Sequence, residues 1–121
     1  MLYAILCYDS EAVVGSWTKE QDAAVVEKLD AVQEKLASEK RLGPVARLMP
    51  TTEATTVRKG RETIVLDGPF AETKEQLLGF FVVECASLEQ AIATAASLST
   101  ARSLSPIRPK RPRTFSCRSI V

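Results

Sequence analysis

The chain contains no histidine. That removes Ser-His and Cys-His nucleophile pairs and every His-ligated metal mechanism at once. Cysteine is scarce: Cys7, Cys85 and Cys117 are odd in number, far apart and without CxxC spacing. Zinc ribbons, thioredoxin-like redox motifs and a disulfide framework are therefore disfavoured, and a reducing, bacterial-type cytoplasm fits best. No apolar run approaches the roughly 20 residues of a membrane span, and the N-terminus lacks a basic-then-apolar signal pattern. Neither GxGxxG nor a Walker-type GxxxxGK loop is present, so Gly60, Gly68 and Gly79 build no phosphate cradle. No carboxylate set has the spacing of a calcium loop. Neither a metal nor a tightly bound cofactor is expected.

What is there is one domain's worth of chain. Its 121 residues are 45% hydrophobic and 26% charged, enough to bury a core rather than stay disordered. The net charge of +1 hides an asymmetry. From Arg102 onward six residues are basic and none acidic, while residues 1–101 hold ten basic against fifteen acidic. Such an end reads as a solvated terminus, or as one folded back on its own acidic body. Phosphate, anionic lipid or an acidic partner are the alternatives. The segment lacks both a reading helix and the aromatic interleaving of single-strand binders, so specific nucleic-acid binding is not expected.

Hydrophobic patterning gives the elements. Leu2 to Tyr8 is a short, continuous apolar run that predicts a central strand buried on both faces. Residues 9–18 read as a loop. Thr18-Lys19-Glu20-Gln21 is a capping box, followed by Val25, Leu29, Val32 and Leu36 on one stripe of a helix over 19–41 that Gly43-Pro44 ends. Val45 to Met49 predicts a short strand. Ala54–Arg58 and Glu62–Leu66 predict a hairpin turning at Gly60 with a positive φ. Gly79–Cys85 is the strongest strand signal. Ser87-Leu88-Glu89-Gln90 opens a second helix over 88–98, with Leu88, Ala91, Ile92 and Ala95 on one face. A last strand is expected near Leu104–Arg108, with Pro109 and Pro112 allowing little beyond it. Without the hairpin the order is β-α-β-β-α-β, a ferredoxin-like α+β arrangement with both helices on one face of an antiparallel sheet. The other face needs a cover, and a sheet-to-sheet homodimer supplies one.

The segment from Leu66-Asp67-Gly68-Pro69-Phe70 through Gly79-Phe80-Phe81 closely resembles the signature of the DGPF subgroup of YciI-like proteins. The opening Met-Leu-Tyr-Ala-Ile-Leu-Cys-Tyr strand, the Thr55–Arg58 arm and Ile107-Arg108-Pro109 agree with its layout. The resemblance covers residues 1–109, which sets the domain boundary and leaves 110–121 as a basic, Pro-containing tail. It implies a dimeric α+β barrel from small bacterial proteins mostly without an assigned activity. It also implies a partner linked to alternative sigma factors, because some relatives are encoded beside or fused to them. A His-Asp acid-base site proposed for wider YciI-like proteins loses its His half here. Pro106 also stands where members usually carry an acidic residue.

Asp67, at a strand end beside flexible Gly68, is the candidate catalytic carboxylate: a general base, or a ligand for a cation or amine. The alternative is that it accepts hydrogen bonds from turn amides and fixes the loop. Glu72, Thr73 and Lys74 form a polar cluster in which Lys74 is suited to a carboxylate or phosphate. The alternative is a solvated turn. Arg58 and Arg47 lie on predicted strands where they can face a pocket. Tyr8 and Asp9 end the first strand near a barrel mouth. Phe70, Phe80, Phe81 and Trp17 read as core or dimer contacts. Two functions stay open: a ligand-binding or regulatory module taking a small organic acid, and a lyase or isomerase using carboxylate acid-base chemistry on one. A purely structural dimer is the third reading.

Overall fold

Alternation along the first strand decides which side of the sheet becomes the core. In β1 (Leu2–Asp9), Tyr3, Ile5 and Cys7 are buried, while Ala4, Leu6 and Tyr8 are half-buried and Leu2 is exposed. The apolar run is central, as its composition predicts, but one chain buries only one of its faces. The computed structural model describes residues 1–103 and the backbone of 117–120.

After β1 come α1 (Glu11–Gly15), α2 (Lys19–Ser38) and β2 (Leu42–Arg47). A hairpin of β3 (Thr55–Arg58) and β4 (Ile64–Asp67) follows. β5 (Gln76–Glu84), α3 (Leu88–Ala101) and β6 (Cys117–Ile120) complete the order. The main sheet runs β2-β5-β1-β6, and each neighbouring pair is antiparallel. This is an α+β architecture compatible with a ferredoxin-like fold. On one face Tyr3, Ile5, Cys7, Phe81 and Val83 meet Leu36, Ala91, Ala95 and Leu98, with Leu29 and Val32 packed alongside. Both long helices therefore lie on the same side of the sheet.

Local chemistry accounts for the helix ends. Thr18 accepts from the Gln21 amide and the Gln21 side chain returns to the Thr18 amide, which completes the capping box. Ser87 caps α3 through the Gln90 amide, but the Gln90 side chain accepts from Ala86 instead, one residue early. α2 stops at Ser38, before the Gly43-Pro44 expected to end it. Lys40 takes the left-handed conformation (φ 56°), with Lys40 N–H on Ala37 O and Arg41 N–H on Leu36 O. That is a Schellman motif built on lysine, and it frees Leu42, Gly43 and Pro44 to enter β2. Residues 9–18 are not all loop, because Ser10 caps α1. α3 runs on to Ala101, and its buried face is Ala91, Thr94, Ala95, Leu98 and Ala101. Leu88 and Ile92, expected on that face, are exposed.

Two corrections concern turns and the tail. The hairpin pairs Thr55 with Asp67 and Arg58 with Ile64, two residues out of the expected register. Its loop is 59–63, and the glycine with positive φ is Gly68 (95°), not Gly60. The strand expected at 104–108 lies outside the described residues. The fourth strand of the sheet is Cys117–Ile120, inside the stretch read as a tail. β1 offers a second edge whose amides and carbonyls need partners, and Ala4 to Cys7 pair there with Ile120 to Cys117.

One residue ties the layers together. Arg41 donates from Nε to Glu84 O (3.0 Å), from Nη1 to Glu39 (2.7 Å), and from Nη2 to Thr94 Oγ1 (2.9 Å) and Cys85 Sγ (3.3 Å). The bonds to Cys85 first, and then Glu39, raise the pKa of the guanidinium.

Candidate functional site

A cavity of about 620 Å³ lies between α2 and the helix-facing side of the sheet. That is within the range of small-molecule sites. Its floor is Cys7 of β1, Val45 and Arg47 of β2, and Gly79 and Phe81 of β5. Val25, Val26 and Leu29 of α2 form the roof, with Trp17 from the α1–α2 connection. Leu48, Met49 and Pro50, just after β2, and Arg102, just past α3, complete the lining.

Two backbone details make the floor. Gly79 lets β2 and β5 close up, because a Cβ there would stand 2.5 Å from Ala46 O. The β1–β5 register skips at Leu78, since Cys7 pairs with Gly79 but Tyr8 pairs with Leu77. This bulge turns Leu78 into the cavity wall, a common use of bulges beside sites.

Two of the carboxylates at the cavity, Glu11 and Asp22, are already engaged. Glu11 accepts from Thr51 N–H with one carboxylate oxygen and from Thr51 Oγ1 with the other, both at 2.7 Å. Asp22 and Arg47 form a two-pronged pair at 3.0 and 3.3 Å. The Arg47 side chain is 66% exposed and Asp22 38%, so this pair contributes at most about 1 kcal/mol. Glu11 N–H also donates to Gln76 Oε1 (3.0 Å), and Gln76 Nε2 donates to Thr73 O. A hydrogen-bonded path therefore joins Thr51, Glu11, Gln76 and Thr73, from the cavity wall to the loop before β5.

The residues predicted from sequence fall elsewhere. Asp67 is exposed at the end of β4, opposite Thr55. Around it the hairpin is held by backbone, with Gly68 N–H on Ala54 O (2.6 Å) and Thr56 Oγ1 on Gly68 O (2.7 Å). Glu72, Thr73 and Lys74 are exposed in the loop between β4 and β5, and Thr73 donates to Glu75 O. Arg58 is exposed on β3. Asp9 accepts from Ser10 N–H (2.8 Å), and Tyr8 follows Leu6 on the far side of the sheet. None of the seven lines the cavity. Of the residues weighed for pockets or packing, Arg47, Trp17 and Phe81 do. Asp22, Glu11 and Arg102 escaped sequence reading. Asp22 carried a signal, because it precedes Val25 and Leu29 at i, i+3, i+7 and so continues the apolar stripe of α2.

Among the described residues no three His, Cys, Asp or Glu side chains converge as a metal site, and no helix is long and apolar enough to cross a membrane. A second depression, on α2 around Ala23, Glu27, Asp30 and Glu34, has walls from that helix alone.

Comparison with known proteins places residues 1–107 on the family model described as a YCII-related domain. An uncharacterized protein of Rhizobium meliloti (strain 1021) is 58% identical over 102 residues, covering 84% of this chain and 82% of that one. β6 lies beyond the matched span. With the family model covering most of the chain, this protein belongs to the YciI-like family of YCII-related domains.

Proposed function

We propose that the protein is a small-ligand-binding or regulatory module whose ligand occupies the cavity between α2 and the sheet. The observation that carries this reading is the cavity itself: a mostly apolar lining, a size suited to one small molecule, and a few charged side chains among the lining. The DGPF resemblance adds a family context of proteins without assigned activity. A sigma-factor-linked partner rests on that resemblance alone.

A homodimer belongs to the same proposal. The sheet face away from the helices carries Ala4, Leu6, Phe80 and Val82, and no described helix packs on it. The hairpin exposes apolar groups on both of its faces, Val57 and Val65 on one and Ile64 and Leu66 on the other. Phe70, just beyond, is 79% exposed. Exposed apolar side chains grouped in this way suit an interaction surface, and a second copy is the partner the dimeric-barrel resemblance favours.

The alternative is a lyase or isomerase with Asp67 as base and Lys74 as anion partner. It is supported by the motif they share and weakened by their exposure. Amide chemical-shift mapping with a set of organic acids, alcohols and amines separates the two. Shifts clustered at Trp17, Leu29 and Phe81 support the cavity. Shifts clustered at Asp67–Lys74, or turnover lost in Asp67→Asn, transfer the assignment to the loop.

A further inference from the structure

We infer that the cavity takes a small monoanion with an apolar body, a monocarboxylate above all, whose head sits on Arg47. This deepens the ligand-binding reading and rests on it.

The body follows from the walls. Trp17, Leu29, Val45, Leu48, Met49 and Phe81 offer no hydrogen-bonding side chain beyond one indole N–H. A ligand polar along its length would leave its groups unpaired there, which is costly.

The sign of the head follows from what each charged group already does. Both oxygens of Glu11 accept from Thr51, and both oxygens of Asp22 accept from Arg47. Neither carboxylate is waiting for a cation. Arg47 uses two N–H groups on Asp22, and a guanidinium has five. Arg102 makes no side-chain hydrogen bond or ion pair with the described residues. The unused charged capacity at the cavity is therefore positive at Arg47 and Arg102, set against exposed Asp30, and half-buried Gln33 adds a neutral amide. A guanidinium at the mouth of an apolar cavity favours a carboxylate through charge-assisted, two-pronged bonding.

Asp22 then acts as the resident competitor. Its pair with Arg47 is solvent-exposed and weak, so an incoming carboxylate displaces it at small cost. An anionic group placed beside Trp17 or Phe81 would have no partner there, so the charge belongs at the end of the ligand that meets Arg47.

Trp17 is the only tryptophan and lines the cavity, so its emission reads occupancy without a label. The full chain is titrated with decanoate, decanol and decylammonium. Decanoate is expected to saturate and to bind about tenfold more tightly than either of the others. Arg47→Gln removes that preference and leaves decanol unchanged, while Asp22→Asn tightens decanoate. Decanol matching decanoate, decylammonium binding best, or Arg47→Gln leaving decanoate unaffected overturns the anion assignment while the cavity reading stands. If none of the three probes moves Trp17 emission, the cavity reading falls, and this inference with it.

Discussion

Glu11 holds Thr51 by two bonds at once, one carboxylate oxygen on the amide and the other on the hydroxyl, each at 2.7 Å. The contact spans 40 residues of chain and pins the turn after β2 against α1. Charge-assisted bonds of this kind are stronger than neutral ones. Glu11→Ala should cost about 1–3 kcal/mol in urea unfolding and raise proteolysis near Pro50. Glu11→Gln should cost less, because an amide oxygen still accepts from Thr51 N–H. Equal losses in the two variants would mean that packing, not the paired acceptors, holds the turn.

Gly79 sets the spacing between β2 and β5. A methyl group there would stand 2.5 Å from the Ala46 carbonyl, so the strands must part. Gly79→Ala should destabilise by about 1–3 kcal/mol. Hydrogen exchange should quicken at the Leu48 amide, which donates to Leu78 O at 2.8 Å. Unchanged exchange at Leu48 would show that the strain is absorbed elsewhere.

Lys40 occupies a left-handed position that ordinarily favours glycine. Lys40→Gly should stabilise the protein by about 1 kcal/mol, the relief of the backbone penalty less the added freedom of the unfolded chain. A drop in melting temperature would show that the lysine side chain contributes more than its backbone costs.

Arg41 serves four acceptors with one fork. Arg41→Lys keeps the charge but not the fork, and should still lose about 2 kcal/mol, because buried Thr94 and the Glu84 carbonyl lose well-aligned donors. Stability equal to wild type would reduce the cluster to simple charge.

The outer sheet face tests the proposed dimer. Phe80→Glu should convert the protein to a monomer in sedimentation with little change in its circular dichroism, since Phe80 points away from the helix-covered core. Interfaces of this class bury roughly 1,200 Å² or more, too much to tolerate an unpaired charge near the centre. A wild-type chain that sediments as a monomer at micromolar concentration would end the proposal outright.

Most of the fold was legible because it is written in periodicity. The stripe Val25, Leu29, Val32, Leu36 and the Thr18–Gln21 box state the start and face of α2 within the local sequence. What was missed depends on groups distant in sequence. The end of α2 is set by Lys40 adopting a conformation that composition assigns to Gly43, and β6 is set by the second edge of β1. The cavity was less legible still. Sequence reading favours residues whose chemistry is conspicuous in a motif, and so selects Asp67 and Lys74. Arg47 and Trp17 meet only because β2 and the α1–α2 connection converge on one side of the sheet. Asp22 acquires its role only through Arg47, a partner on β2 that lies far away in sequence.

The sheet is one layer thick where it floors the cavity, and adjacent residues on a strand therefore belong to different surfaces. Phe81 looks into the cavity and Phe80 away from it, as Cys7 and Leu6 do on β1. Parity along these strands thus becomes a sorting rule. Substitutions at Gly79, Phe81, Val45 and Arg47 should register as changes in ligand affinity, and those at Leu6, Phe80 and Val82 as changes in association. A scan along β5 should alternate between the two phenotypes with a period of two residues, and the alternation should slip by one residue at the Leu78 bulge.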